Sequence, residues 1–253
     1  NRQLALTQRG QQLLNIADQT FNSLERSLSD LQGENISGQL SLSASPSLAQ
    51  HWLGAAIAAF KLQYPQLCVY LHTHNAQSPL SNPQLDLAIT YGGPDYPGLH
   101  SEKLREEQLQ VLCNEAYMQK MQLEHSPERL IHCQFIHDAL AQPHAGPLCE
   151  WNHWLERAGL SAISPRPDMC FDMSALALNA AEQGCGVAIG RWSLSRERLA
   201  RGSLVSPFDK VVQADAAYYL VCHPERRQSP VVQCLIDFLW DYIRTPTFES
   251  TLY

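Results

Sequence analysis

The residues of this chain best suited to holding a small charged molecule are gathered at a few corners. The stretch SASPSLAQHWL, residues 43–53, begins as a strand and ends as a helix, with Ser45-Pro46-Ser47 at the bend. Ser47 can cap the helix that follows. Alternatively, Ser45 and Ser47, with the free N–H groups of the first helical turn, can hold an anion such as a carboxylate. Comparable corners are Thr90-Tyr91, His137-Asp138, Phe171-Asp172-Met173-Ser174 and Gly190-Arg191-Trp192. Singly, each is ordinary turn chemistry. Brought into one pocket, an anion clamp beside a carboxylate suits a zwitterionic amino acid, with its carboxylate on N–H and O–H donors and its ammonium on an Asp. Thr90 is placed to assist the carboxylate clamp. Asp138 has no evident local task and is the first candidate for the ammonium, whereas Asp172 can cap the helix that starts at Ser174. Tyr91, His137 and Trp192 are candidates for a third contact.

Other chemistries find little support. There is no G-x-S-x-G, no P-loop and no G-x-G-x-x-G after a strand. His137 and Asp138 are adjacent on a strand and point to opposite faces, which spoils them as a base and its helper. His72 and His74 share a strand face but lack a third clustered ligand, so neither a metal site nor a cofactor is expected. The eight cysteines, at 68, 113, 133, 149, 170, 185, 222 and 234, form no C-x-x-C pair. Most lie within apolar patterns, which fits reduced thiols in a cytoplasmic protein better than a disulfide framework.

The positioning elements follow from periodicity. After Thr7, a candidate N-cap, apolar residues fall at Leu14, Ala17, Phe21, Leu24, Leu28 and Leu31, the three–four alternation of a coiled-coil seam. Such a helix needs a partner, and a second copy is the simplest one; an amphipathic helix lying on its own domain is the alternative. Gly33, Ser37 and Gly38 mark a linker. From there strands and helices alternate. Strands are expected at 39–44, 68–74, 85–90, 109–113, 133–137, 169–172, 187–189 and 216–222. Helices are expected at 47–64, 115–121, 148–158, 174–183 with Gly184 at its C′ position, 196–200, and from Ser229-Pro230 onward. The last helix should bury Val231, Leu235, Phe238, Leu239 and Tyr242, and the tail after Thr245 carries no pattern and is expected to fray. Two rounds of alternation imply two α/β units with mostly parallel sheets, in which ligands sit beyond the carboxyl ends of strands.

Composition agrees. The 253 residues, 45% hydrophobic and 17% charged, suffice for two modest domains. The net charge of −7 argues against gripping nucleic acid through the overall field. No apolar run is long enough to span a bilayer, so no membrane partner is expected. The chain lacks an initiator Met and any secretory signal pattern, and reads as a fragment.

Several stretches carry a resemblance. LALTQRG followed by the heptad helix resembles the end of a winged helix-turn-helix and the dimerising linker helix of LysR-type transcriptional regulators. SGQLSLSASPSLAQHWL, FKLQYPQL, LDLAITYG and AAEQGCGVAIG are similar to their effector-binding domain. FDMSALALNAAEQGCGVAIGR, RLARGSLVSPF and the AAYYLV strand are most similar to activators of D-serine deaminase. The resemblance implies an α/β fold with two Rossmann-like subdomains, as in type 2 periplasmic-binding proteins, behind a long dimerising helix. It assigns 1–36 to the end of the winged helix-turn-helix and the linker helix, 37–112 with 211–253 to subdomain I, and 113–210 to subdomain II. Crossovers are placed near 111–114 and 205–211. It further implies a small amino acid such as D-serine as effector, self-association as a dimer or tetramer through Leu14, Phe21, Leu24 and Leu28, and promoter DNA read by an upstream domain missing from this chain. The effector residues so proposed are Ser45, Ser47, Thr90, Tyr91, His137, Asp138, Phe171, Asp172, Ser174 and Trp192. The rival of the same fold is a transporter's solute-binding protein, which should show a signal peptide and fewer free cysteines.

Overall fold

A computed structural model of the chain describes residues 7–10, 13–14, 17, 20–21, 36–74, 80, 82, 84–141, 146, 148–245 and 248. At the start, the Gly10 amide donates to Thr7 Oγ1 over 3.1 Å, the capping role expected of Thr7. Leu14 and Phe21 are 43% and 70% exposed on this helical segment. Leu24, Leu28 and Leu31 lie outside the described residues.

The body is one eight-stranded sheet with helices packed on it. Its strands are β1 Gly38–Ala44, β2 Leu67–Thr73, β3 Leu87–Gly92, β4 His100–Leu112, β5 Phe135–Asp138, β6 Pro167–Phe171, β7 Val187–Arg191 and β8 Val212–Cys222, in the spatial order β2-β1-β3-β8-β4-β7-β5-β6. The β1/β2, β1/β3, β5/β6 and β5/β7 pairings are parallel, as expected of βαβ units. Among the described strands, the antiparallel pairings all involve β4 or β8. β4 is far longer than the expected 109–113: its first part, HSEKLREE, pairs with β8, and 109–112 pair with β7. The β4/β8 ladder shifts register between Lys103 and Arg105 and again between Glu106 and Gln108.

The helices are α1 (Pro46–Leu48, a π-helical turn Ala49–Leu53, then Gly54–Gln63), α2 Glu115–Met121, α3 Cys149–Arg157, α4 Ser174–Glu182, α5 Trp192–Ala200 and α6 Pro230–Ile243. α1 ends just before Pro65, which cannot continue it. α4 ends as anticipated, with Gly184 at φ +74, where only glycine sits without strain. α5 starts four residues earlier than expected, at Trp192. α6 buries Val232, Leu235, Ile236, Leu239 and Ile243, while Val231, Phe238 and Tyr242 are only half-buried against the core. The buried stripe is thus turned about one residue from the expected one.

Two apolar clusters sit on the sheet. The larger joins Leu40, Leu42, Trp52, Phe60, Leu87, Leu220 and Leu239, among others, and the second gathers around Val111, Tyr117, Phe135, Trp151, Trp154 and Phe208. The tail does not fray at Phe248. This residue is 2% exposed, with its ring 5.3 Å from Trp52, 5.7 Å from Trp192 and 6.1 Å from Tyr242. The Arg196 guanidinium lies 4.3 Å over the same ring, and its Nη1 donates to the Phe248 carbonyl.

Candidate functional site

A cleft enclosing about 680 Å³, including its open mouth, lies where the carboxyl ends of the parallel strands converge. β1 and its corner into α1 supply Ser43, Ala44, Ser45 and Ser47, and β3 supplies Ile89, Thr90 and Tyr91. Facing them are Asp138 at the end of β5, Asp172, Met173 and Ser174 between β6 and α4, and Arg191 at the end of β7. His74, Leu140 and Ala141 complete the lining.

Two helices therefore begin in this cleft, α1 after Ser45 and α4 after Met173, and their amino ends favour negative charge. The cap of α1 is Ser45, whose Oγ accepts from the Leu48 amide over 3.3 Å; Ser47 was the residue expected in that role. Ser47 does something less local: its Oγ accepts from the Ala175 amide, in the first turn of α4, at 3.1 Å. The N-cap position of α4 falls at Met173, one residue beyond Asp172. The Thr90 hydroxyl is 2.7 Å from that of Tyr96.

Asp138 has more local tasks than its sequence neighbourhood suggests. Its Oδ1 accepts from the Leu140 amide at 3.2 Å, and its Oδ2 accepts from the Ser174 hydroxyl and faces Arg191 Nη2 at 3.4 Å. The two oxygens still offer further lone pairs toward the cleft. Arg191, a corner residue that sequence reasoning did not pick for the site, is the centre of this wall. It is 5% exposed, donates from Nε to Glu150 Oε1 at 2.8 Å, and lies 4.0 Å over the Tyr91 ring. Tyr91 in turn donates its hydroxyl to the same Glu150 oxygen at 3.1 Å. Burial and the Glu150 carboxylate push the Tyr91 phenol well above its usual range, so it stays neutral. Beside Arg191, a Cβ on Gly190 would come 2.2 Å from Leu112 Cδ1, so a larger residue there would have to displace that buried side chain. A charged residue ending an apolar strand was the one sequence signal that could have found Arg191.

Thus Ser45, Ser47, Thr90, Tyr91, Asp138, Asp172 and Ser174 come together, and His137, Phe171 and Trp192 do not line this cleft. His137 points the other way from Asp138 and is buried between Phe135 and Trp151, and that burial lowers its pKa. Phe171 is half-buried against the main apolar cluster. Trp192 is buried there too, under the Arg105 guanidinium 4.4 Å from its ring. His72 bonds to Ser41 Oγ at 3.1 Å, and among the described residues no group of three His, Cys, Asp or Glu side chains is placed to hold a metal. No helix among them is long and apolar enough to cross a membrane.

Known proteins share this fold. Residues 33–244 match the LysR substrate binding domain family. The regulator DsdC of Escherichia coli is 30% identical over 97% of this chain and 78% of its own length. The glycine cleavage system transcriptional activator of the same organism is 31% identical over 90% of this chain and 72% of its own. The effector domain of the transcriptional regulator AmpR of Pseudomonas aeruginosa superposes with a TM-score of 0.67 at 27% identity, covering 81% of this chain and 94% of that one. A fold of this kind, the family match over residues 33–244 and relatives that regulate transcription leave one assignment: the chain belongs to the LysR-type transcriptional regulators, a non-enzymatic family, and carries their effector-binding domain.

Proposed function

We propose that the cleft is the effector site of this regulator and that its effector is a small amino acid, bound as the zwitterion. The observation that carries the reading is the opposition within one cleft of an anion-favouring wall and an acidic one. The first comprises Ser45, Ser47 and the amino end of α1, with Thr90 beside them. The second comprises Asp138, Asp172 and Arg191, with Glu150 behind; counted over Asp138, Glu150 and Arg191 it carries one surplus negative charge. A carboxylate on the first and an ammonium on the second would each replace lost hydration with charge-assisted hydrogen bonds. D-serine, suggested by the sequence resemblance, and glycine, suggested by the name of one relative, are the first compounds to test. Ser174, on the acidic side, is within reach of the same ligand.

In this reading residues 37–112 with 211–253 form one half of the effector domain and 113–210 the other. The long β4/β8 pair passes between them, so one zwitterion bridges the halves and couples their closure to occupancy. The seam of Leu14, Phe21, Leu24 and Leu28 pairs with the same residues of a second copy. Promoter DNA is bound by a separate module in the cytoplasm. A thermal-shift panel of D- and L-amino acids tests the ligand class: a true effector at a hundred times its Kd adds about 2.7 kcal/mol of stability. A panel in which no amino acid raises the melting temperature, while amine-free acids do, contradicts the reading.

A further inference from the structure

We propose that Glu150 sets the charge class of the ligand: by taking up the Arg191 guanidinium it leaves the Asp138 carboxylate to face a ligand cation, so that the cleft selects an amino acid over the corresponding hydroxy acid. The inference rests on the reading that Asp138 meets the ammonium. Its physical basis is an asymmetry of distances around one buried cation. Arg191 Nε is 2.8 Å from Glu150 Oε1, whereas its Nη2 is 3.4 Å from Asp138 Oδ2. Glu150 is buried, does not itself line the cleft, and lies in the first turn of α3, where the helix dipole favours negative charge. Tyr91 donates its hydroxyl to the same oxygen and adds no charge. The guanidinium is thus held from behind by one carboxylate, and the second carboxylate remains at the cleft surface as the surplus charge.

Without the Glu150 charge, Arg191 would have Asp138 as its nearest carboxylate. The cluster would then be neutral, and an ammonium would meet a carboxylate already compensated by a guanidinium. A ligand with a hydroxyl in place of the ammonium would lose little by comparison, because a hydroxyl can donate to a carboxylate without needing its charge. Glu150 in this account is a positioning residue, acting through Arg191 on the group that touches the ligand.

The test is isothermal titration of the chain with two pairs, D-serine against D-glycerate and glycine against glycolate. In Glu150→Gln the amino-to-hydroxy affinity ratio should fall on the order of tenfold, the scale of losing one partly screened charge interaction. The double variant Glu150→Gln/Arg191→Gln removes the cation with its counter-ion, leaves no uncompensated charge between them, and should return the ratio toward that of the parent. It also decides the matter should the single variant fail to fold. An unchanged ratio in Glu150→Gln, an equal loss for both members of a pair, or a double variant that still fails to prefer the amino acid overturns the proposal. Asp138→Asn separates the two levels of the argument. If it keeps the parent's ratio, the reading of Asp138 fails and the role of Glu150 with it. If it loses the preference while Glu150→Gln retains it, only the role of Glu150 fails.

Discussion

The Ser47 hydroxyl accepts a hydrogen bond from the Ala175 amide at 3.1 Å, across 128 positions of sequence. The bond is buried, and it joins the first turn of α1 to the first turn of α4 at the edge of the cleft. Ser47→Ala leaves that amide without its acceptor and should cost about 1–3 kcal/mol of stability, measured by urea denaturation. Ser45→Ala removes only the local cap of α1 and should cost about 0.5–2 kcal/mol. Equal stability of Ser47→Ala and the parent would show that α4 finds its cap elsewhere.

A bond that joins α1 to α5 predicts a pH dependence. His51, in the π-helical turn of α1, meets Arg198 Nη1 at 2.9 Å. Burial first, and then the Arg198 and Arg201 guanidinium groups, depress its pKa to about 4 from 6.5. The unfolded chain therefore binds a proton that the folded chain refuses between those two values, so this residue's contribution to stability falls as pH drops from 6.5 toward 4 and is flat above 6.5. Melting curves of His51→Gln should show a shallower decline over that window than the parent. Parallel curves for the two proteins would contradict the assignment.

Phe248 fastens the carboxyl-terminal tail into a box of Trp52, Trp192, Tyr242 and Arg196. Phe248→Ala should lower stability by about 3–5 kcal/mol, the range for emptying a large buried aromatic site. A loss below about 1 kcal/mol would mean that the tail is not held there.

Self-association through the heptad seam is tested by Leu24→Lys with Leu28→Lys, which would place charges in the seam. The double variant should sediment as a smaller species than the parent. Identical sedimentation would move the interface elsewhere.

What the sequence made legible was local. β1, β2, α4 and the glycine stop at Gly184 announce themselves through apolar periodicity and turn chemistry. The corner residues were legible as a group because an α/β fold sends strand ends to one place. β4 was not, because HSEKLREE carries six ionisable side chains and hides a strand whose partner, β8, is more than a hundred residues away. Arg191 escaped for the same reason: Glu150 and Asp138 lie 41 and 53 positions from it. Phe248 stands alone in a polar stretch, and its box exists only after α1, α5 and α6 have packed. Trp192 and His137 were drawn toward the cleft by their corners, but the side chains turned into the apolar clusters around Phe248 and Trp151.

The central claim, that a zwitterion spans this cleft with its ammonium on Asp138 and its carboxylate at the Ser45–Ser47 corner, is tested most directly by titrating D-serine and glycine into the parent and Asp138→Asn while following the radius of gyration by small-angle scattering. Replacing the carboxylate by an amide keeps the size and removes the charge. The account predicts ligand-driven compaction and binding in the parent, with affinity reduced about tenfold or more in Asp138→Asn, as expected for losing a charged hydrogen bond of 1.5–3 kcal/mol. Parent-like affinity together with parent-like compaction in Asp138→Asn would contradict it.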